Sequence, residues 1–150
     1  MRKWWVTSGV VVLVIAASLY FLYVQMTGTE QSTLSLKNQT YQLTIARTEA
    51  DREQGLSDTE SLPADHAMLF VFPTISKPGI WMKDMNYPID IVWLDTDKKV
   101  VYTVVGAQPS SYPKIFQTDK DSRYVIELPA GTIEKTGIHR GDKADFDVTN

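Results

Sequence analysis

The feature that most constrains this chain is a long apolar segment near its N-terminus. No charged residue occurs from Trp4 to Thr29, and residues 6–26 are apolar enough to cross a bilayer as a helix, which needs roughly 20 such residues. Arg2 and Lys3 precede the segment, whereas the next basic residue is Lys37. Because cytoplasmic flanks carry the excess of Lys and Arg, the sequence predicts a single-pass membrane anchor with the rest of the chain outside the cytoplasm.

A cleaved signal peptide is the alternative interpretation of the same segment. Such a peptide needs small residues just past its apolar run, but Ala16 and Ser18 are followed by further apolar residues up to Met26. We therefore expect an uncleaved anchor. Residues 1–29 would form this anchor and the start of a tether, and residues 30–150 would form one extracytoplasmic domain.

Composition limits what this domain can be. It contains no cysteine, so packing without disulfides must hold it together. The sequence also lacks the cysteine pairs and the HExxH motif of zinc sites, so we predict no metal and no cofactor. The formal net charge of -3 argues against nucleic acid as a partner, because binding to its phosphates requires positive charge.

Alternating apolar residues predict a domain made mainly of β-strands. Residues 34–45 are expected to form a hairpin with its bend at Asn38 and Gln39. An apolar strand should follow and end at Pro73, because proline cannot donate to a sheet ladder. Further strands are expected at residues 89–94, 99–105, 123–129 and 143–148.

Two short helices complete the predicted fold. Thr48 suits the N-cap of the first and Gly55 its exit, while Gly131 and Gly137 should bound the second. About seven short strands and two short helices predict a β-rich α+β domain, built as a small barrel or sandwich because closure hides edge strands. The segment from Gly106 to Ser122 is expected to be a long irregular loop and a candidate lid.

Two predicted strands carry a carboxylate among apolar residues. Asp90 alternates with Val92 and Leu94, and Glu127 alternates with Val125. A carboxylate on an apolar face is costly unless it is paired or hydrogen-bonded, so both should have partners. The cations available are Arg52, Lys83 and Arg123.

These carboxylates allow two interpretations. The first is a buried ion pair that fixes strand register, which we favour for Glu127 more than for Asp90. The second is a polar pocket where Asp90, Lys83 and Arg52 converge on a small molecule or other envelope ligand beside aromatic rings, a common composition for ligand sites. The candidate ligand-binding residues are then Arg52, Trp81, Lys83, Asp84, Tyr87 and Asp90.

Catalysis is a separate hypothesis. An envelope hydrolase could use Asp90 as base or nucleophile with Lys83 as its electrostatic partner, or a glycosidase-like pair could form from Asp84 with Asp90 or Glu127. A serine or cysteine nucleophile is not indicated, because cysteine and the G-x-S-x-G motif are both missing. No particular catalytic residue is therefore assigned.

Methionine and histidine residues suggest one further alternative. Met82 and Met85, with His66 and Met68 nearby in sequence, are residue types that bind Cu(I) outside the cytoplasm. Methionine is more often a filler of irregular core gaps, so a copper-binding module ranks below a ligand-binding one.

Several blocks of the sequence resemble one known family. They are REQGLS from Arg52, MLFVFP from Met68, IWMKDMNYPIDIVWLD from Ile80, YVIELPAGT from Tyr124 and GIHRGD ending at Asp142. In this order and spacing they resemble the domain of unknown function 192 family. The resemblance implies a small β-rich domain, often exported, of no established activity. It also implies Asn and Thr after WMK, where this chain has Asp84 and Met85.

The prediction that follows is a membrane-anchored, extracytoplasmic binding or accessory module of the cell envelope. Its membrane contact would be made through residues 6–26, and the sequence identifies no protein partner. A purely structural or partner-docking domain, with no small-molecule site, is the remaining alternative.

Overall fold

The computed structural model describes Ser18 and residues 32–148. Apart from Ser18, the predicted anchor at residues 6–26 lies outside them. Within the described residues, no helix has the length and apolar character needed to cross a membrane. The chain divides into two compact units, Met1–Glu30 and Gln31–Asn150.

Residues 32–148 contain nine strands, two short α-helices and one turn of 3-10 helix at Pro109–Ser111. The helices are α1 (Glu49–Gln54) and α2 (Thr132–Thr136). The strands are β1 (Thr33–Leu36), β2 (Gln39–Ala46), β3 (His66–Ser76), β4 (Ile80–Trp81), β5 (Ile89–Leu94), β6 (Val100–Ala107), β7 (Ile115–Phe116), β8 (Ser122–Pro129) and β9 (Asp145–Phe146).

Seven of these strands form one curled sheet in the order β6-β5-β8-β3-β2-β1-β9. All neighbours are antiparallel except β2 and β3, which are parallel. A bridge between Lys99 and Lys143 and a hydrogen bond from Val100 N to the Asp142 carbonyl, 2.8 Å, join the start of β6 to the segment before β9. The β-rich fold with two short helices is thus confirmed. The sheet is a curled half-barrel, and its two outer strands approach each other where the start of β6 meets the segment before β9.

Local sequence signals account for the first elements. The β1–β2 bend lies at Lys37 and Asn38, which have φ of 51° and 62°; the predicted position was one residue too far along, since Gln39 already belongs to β2. Thr48 and Asp51 form a capping box at the start of α1. Each of their side chains accepts a hydrogen bond from the other residue's backbone N–H, and the helix begins where the sequence predicted.

Two predictions for the loops were wrong. Strand β3 does not end at Pro73 but continues to Ser76, because the proline lies where the register between β3 and β8 shifts and no ladder hydrogen bond is required of it. The segment from Gly106 to Ser122 is not wholly irregular, since it contains β7, which pairs with β4. A Cβ at Gly79 would lie 2.5 Å from Ile115 Cγ2, so a larger residue there would force the Ile115 side chain to move.

Apolar side chains cover both faces of the sheet, and all six residues of β5 are buried. One face belongs to the first cluster, which includes Leu34, Leu69, Val92, Leu94, Ile126 and Phe146. The other face belongs to the second cluster, which includes Met68, Phe70, Ile89, Ile91, Trp93 and Val125. A carboxylate on either face of β5 or β8 therefore lies inside the protein.

Candidate functional site: a buried carboxyl group at a cavity

Asp90 lies on the first-cluster face, and backbone amides satisfy it. Its side chain is fully buried. Oδ1 accepts a hydrogen bond from Gly106 N and Oδ2 accepts one from Ile133 N, each 2.8 Å long. The expected ion pair is absent, because no salt bridge within residues 32–148 involves Asp90. The carboxylate instead ties β5 to the end of β6 and to the first turn of α2.

Glu127 lies on the opposite face and lacks such partners. In the register of β5 and β8, Ile91 is opposite Glu127 and Asp90 is opposite Leu128, so the two carboxylates point to different sides of the sheet. Glu127 is only 4% exposed, and its Oε2 has no hydrogen-bond partner among the described residues. Burial raises the pKa of Glu127 to about 8, so most of these carboxyl groups keep their proton at neutral pH.

Glu127 lines a cavity of about 400 Å³ beside α1, β3 and β4. This volume lies within the usual range for small-molecule sites. The large apolar side chains at its walls are Leu56, Phe70, Phe72, Ile80, Trp81 and Met85. The titratable side chains are Glu49, Arg52, Glu53 and Glu127.

Arg52 is held at the wall of this cavity by the backbone. Its Nη1 donates to the carbonyl of Arg47 and to that of Val71, the latter at 3.1 Å. The guanidinium carbon lies 5.4 Å from the ring centroid of Phe72, a cation–π arrangement. No ion pair of the described residues includes Arg52, so its charge is not neutralised by a direct contact.

Lys83 and Asp84 lie on the surface. Lys83 Nζ is 4.0 Å from Asp84 Oδ2, and both side chains are more than half exposed. Asp84 has a φ of 53°, a conformation that Asn and Asp tolerate better than other non-glycine residues. The Asn implied here by the family resemblance and the Asp of this chain therefore fit the same backbone requirement.

The loop of residues 83–87 is pinned to the turn that follows α1. Four hydrogen bonds join the two segments: Ser57 Oγ to the Lys83 carbonyl (2.8 Å), Asp58 N to the Asp84 carbonyl (2.8 Å), Asn86 Nδ2 to the Thr59 carbonyl (2.9 Å), and Tyr87 Oη with Thr59 Oγ1 (2.6 Å). Burial is the largest cause of the raised pKa of Tyr87, and the nearby Glu127 carboxylate raises it further, while the bond to Thr59 acts in the opposite direction. Tyr87 is thus close enough to Glu127 to sense its charge.

The predicted site residues therefore fall into three places. Arg52 and Trp81 line the cavity with Glu127. Lys83, Asp84 and Tyr87 belong to the pinned loop beside it, and Asp90 faces the other side of the sheet.

Sequence reasoning missed Glu127 as the central group of the site. Alternation with Val125 had marked it as an inward-facing carboxylate, but nothing local distinguished it from Asp90. Phe70 and Phe72 were also missed, although their alternation in β3 places both on the same side of the strand.

The residues of the copper hypothesis serve mainly as packing. Met68 and Met82 are buried in the second cluster, and Met85 packs against it. His66 Nδ1 is 2.8 Å from Asp65 Oδ1. Within the described residues, no three or more His, Asp or Glu side chains are grouped so that they could hold a metal ion.

A curled half-barrel sheet, and a buried carboxyl group that lines a cavity and lacks a hydrogen-bond partner among residues 32–148, define the described part of the chain as a small β domain with a preformed pocket. The chain belongs to the family domain of unknown function 192, described as uncharacterized ACR, whose model matches residues 31–146. This match confirms the resemblance seen in the sequence motifs.

Two curated relatives are archaeal. The chain is 33% identical over 87 residues to a UPF0127 protein of Thermococcus gammatolerans, a match that covers 57% of this chain and 54% of that protein. It is 29% identical over 107 residues to a UPF0127 protein of Thermococcus kodakarensis, covering 70% of this chain and 64% of that one. The matched part of this chain thus spans less than two thirds of either relative.

Two solved structures share the fold. A protein of unknown function from Novosphingobium aromaticivorans superposes with a TM-score of 0.70 and 23% identity, covering 76% of this chain and 81% of that one. A protein of Sinorhizobium meliloti, described as a candidate transcription regulator, superposes with a TM-score of 0.72 and 28% identity, covering 77% and 93%. The first likeness concerns the fold alone.

Proposed function

We propose that this domain is a binding module that holds a small, partly apolar molecule in the cavity beside α1, β3 and β4, with Glu127 as its polar anchor. The observation that carries the proposal is Glu127, which lines the cavity and whose buried Oε2 has no hydrogen-bond partner among the described residues. A buried polar group without a hydrogen bond costs about 1–3 kcal/mol. A ligand that supplies the missing partner recovers this free energy when it binds.

The walls support the same proposal. Phe70, Phe72 and Trp81 provide rings for an apolar ligand body, and Trp81 is still 46% exposed, so the cavity has an aromatic side chain accessible from solvent. Small-molecule sites typically combine such apolar walls with a few polar groups that fix orientation. Arg52, held by two backbone carbonyls, gives the cavity a positioned polar wall.

Binding fits the arrangement of the carboxylates better than the hydrolase alternative. Both oxygens of Asp90 already accept backbone hydrogen bonds, and this residue faces away from the cavity. The ion pair of Lys83 is with the exposed Asp84. A base or nucleophile at Asp90 would have to abandon these amides.

We also propose that the module acts outside the cytoplasm, attached to the cell membrane, as an accessory protein of the envelope. Support for this location comes from the uncharged apolar segment at residues 6–26 and from Arg2 and Lys3 before it. At this location, molecules of the cell envelope could reach the cavity and bind in it.

Fluorine NMR of the 150-residue chain labelled with fluorotryptophan tests ligand binding directly. Trp81 lines the cavity, whereas Trp93 is fully buried and donates its indole N–H to the Pro78 carbonyl. We expect some members of a library of small amphiphilic molecules to shift the Trp81 signal and leave the Trp93 signal in place. Trp81→Phe and Trp93→Phe assign the two signals.

The matched variants are Glu127→Leu and Glu134→Leu, since Glu134 is an exposed carboxylate on α2. Ligands of the cavity should bind at least about tenfold more weakly to Glu127→Leu, because one good polar contact is worth about 1.4 kcal/mol or more, and should bind unchanged to Glu134→Leu. Absence of any Trp81 shift at millimolar ligand, or equal affinity in both variants, would contradict the proposal.

A further inference from the structure

We infer that the head group taken by the Glu127 cavity is an organic ammonium, seated against the Glu127 carboxylate with aromatic rings beside it. This inference rests on the proposed function and names its ligand class. It is carried by three features of the cavity: its hydrogen-bonding groups, its rings and its charges.

The hydrogen-bonding groups favour a donor. Glu127 Oε2 is buried and receives no hydrogen bond from residues 32–148. The other carboxylates at the cavity, Glu49 and Glu53, are also acceptors when ionised. An ammonium has three N–H donors and no acceptor, so it complements these three carboxylates, whereas an alcohol supplies one donor and a carboxylate supplies none.

The rings favour a cation. Phe70, Phe72 and Trp81 line the cavity, and the faces of aromatic rings attract positive charge. Phe72 already carries one cation in this way, since the guanidinium of Arg52 lies 5.4 Å from its centroid. Of the other two rings, that of Trp81 is 46% exposed and accessible to a ligand, whereas Phe70 is buried.

The charged groups at the cavity also favour a positively charged ligand. Among the described residues that line the cavity, Glu49, Glu53 and Glu127 are opposed by one cation, Arg52, and Tyr87 from the pinned loop is a further titratable group near Glu127. An anionic ligand would meet up to three carboxylates, while an ammonium would meet one guanidinium that is already bound to two carbonyls. Attraction therefore favours the cation.

Binding of an ammonium should release one proton. The Glu127 carboxyl is mostly protonated at neutral pH because burial raises its pKa to about 8. An alkylammonium has a pKa near that of lysine, about 10.4, so it arrives charged and the Glu127 proton leaves to the buffer. Affinity should then rise with pH and level off above the pKa of Glu127.

A matched set of probes tests the head group. Phenethylamine, phenethyl alcohol and hydrocinnamate share a phenyl ring on a two-carbon chain and end in an ammonium, a hydroxyl and a carboxylate. Titrations of the 150-residue chain, read from the Trp81 fluorine signal, should show the amine binding at least tenfold more tightly than the other two. Between pH 6 and pH 8 the amine's affinity should increase on the order of 50-fold, as expected for linkage to a group with a pKa of about 8.

The control is Glu127→Gln, which keeps the shape of the side chain and removes its ionisation. In this variant the pH dependence should disappear and the preference for the amine should fall at least tenfold, and an unchanged Trp93 signal would show that the fold is intact. If the alcohol or the carboxylate binds as tightly as the amine, or if the pH dependence survives in Glu127→Gln, the ammonium inference is wrong and the binding module stands. If neither these probes nor any library member shifts Trp81, both proposals fail.

Discussion

Replacing Glu127 by Gln should stabilise the domain at neutral pH, and the gain should grow as the pH rises. Glu127 is the buried group whose Oε2 lacks a partner, and its pKa is raised from 4.5 to about 8 in the folded protein. Between these two values the folded protein binds more protons at this site than the unfolded chain does. Stability contributed by Glu127 is therefore fully present below pH 4.5 and is lost progressively as the pH rises towards 8.

The size of the effect follows from the two pKa values. One pKa unit corresponds to about 1.4 kcal/mol, so raising the pH from 4.5 to 7 should cost the wild type ~3 kcal/mol that the Gln variant does not lose. Above pH 8 the difference should level off at about 5 kcal/mol.

Urea unfolding of both proteins at a series of pH values measures this difference. The Trp93 fluorine signal reports the core of the domain, whatever the state of the rest of the chain. Carboxylates with a lowered pKa, such as Asp51 and Asp142, contribute stability that is lost only as the pH falls below about 4, outside the window in question. Parallel pH profiles for wild type and Glu127→Gln between pH 4.5 and pH 8 would show that Glu127 titrates normally, and the argument for a destabilising buried carboxyl would fail.

Three further substitutions test the structural assignments, each measured by urea unfolding at pH 7. Asp90→Asn should destabilise the domain by about 2 kcal/mol, because the new amide NH₂ would face one of the backbone N–H groups of Gly106 or Ile133; a loss below about 0.5 kcal/mol would remove Asp90 from its structural role. Asp84→Ala should cost ~1 kcal/mol because of its positive φ, whereas Asp84→Asn should be nearly neutral, and equal losses would contradict the backbone explanation. Thr48→Ala should cost ~1 kcal/mol by removing the capping box, and Thr48→Ser should retain most of that stability; a matching loss in both would contradict it.

The elements that the sequence predicted correctly depend on contacts between close neighbours in the chain. Thr48 and Asp51 are three residues apart and complete a cap between themselves. Gly131 and Gly137 both adopt left-handed conformations at the ends of α2, which the glycines themselves allow at little steric cost. The alternation in β5 is likewise local: Val92 and Leu94 lie in one cluster, whereas Ile89, Ile91 and Trp93 lie in the other.

The features that were predicted wrongly depend on contacts between distant segments. The pairing of β4 with β7 joins Trp81 to Ile115. Each of these strands has only two residues, which are too few to show the alternation from which a strand is predicted. Continuation of β3 through Pro73 depends on an irregularity in its register with β8, which only the assembled sheet defines. The sequence carries no local sign of either.

The two strand carboxylates show why the candidate site could be predicted only in part. The alternation of side chains along a strand was sufficient to predict that Asp90 and Glu127 both point into the protein. Because an unpaired buried carboxylate is costly, each was also predicted to need partners. The outcome depended on which side of the sheet offers donors. On one side, the turn at Gly106 and the start of α2 present two N–H groups to Asp90.

On the other side, α1, β3 and β4 leave a cavity at Glu127 with rings and further acids at its walls. Asp90 therefore accepts two backbone hydrogen bonds, whereas Glu127 Oε2 accepts none from the described residues. A carboxyl group of this kind lowers stability for as long as the cavity is empty, and the ligand proposed above would reverse this cost by providing the missing donor.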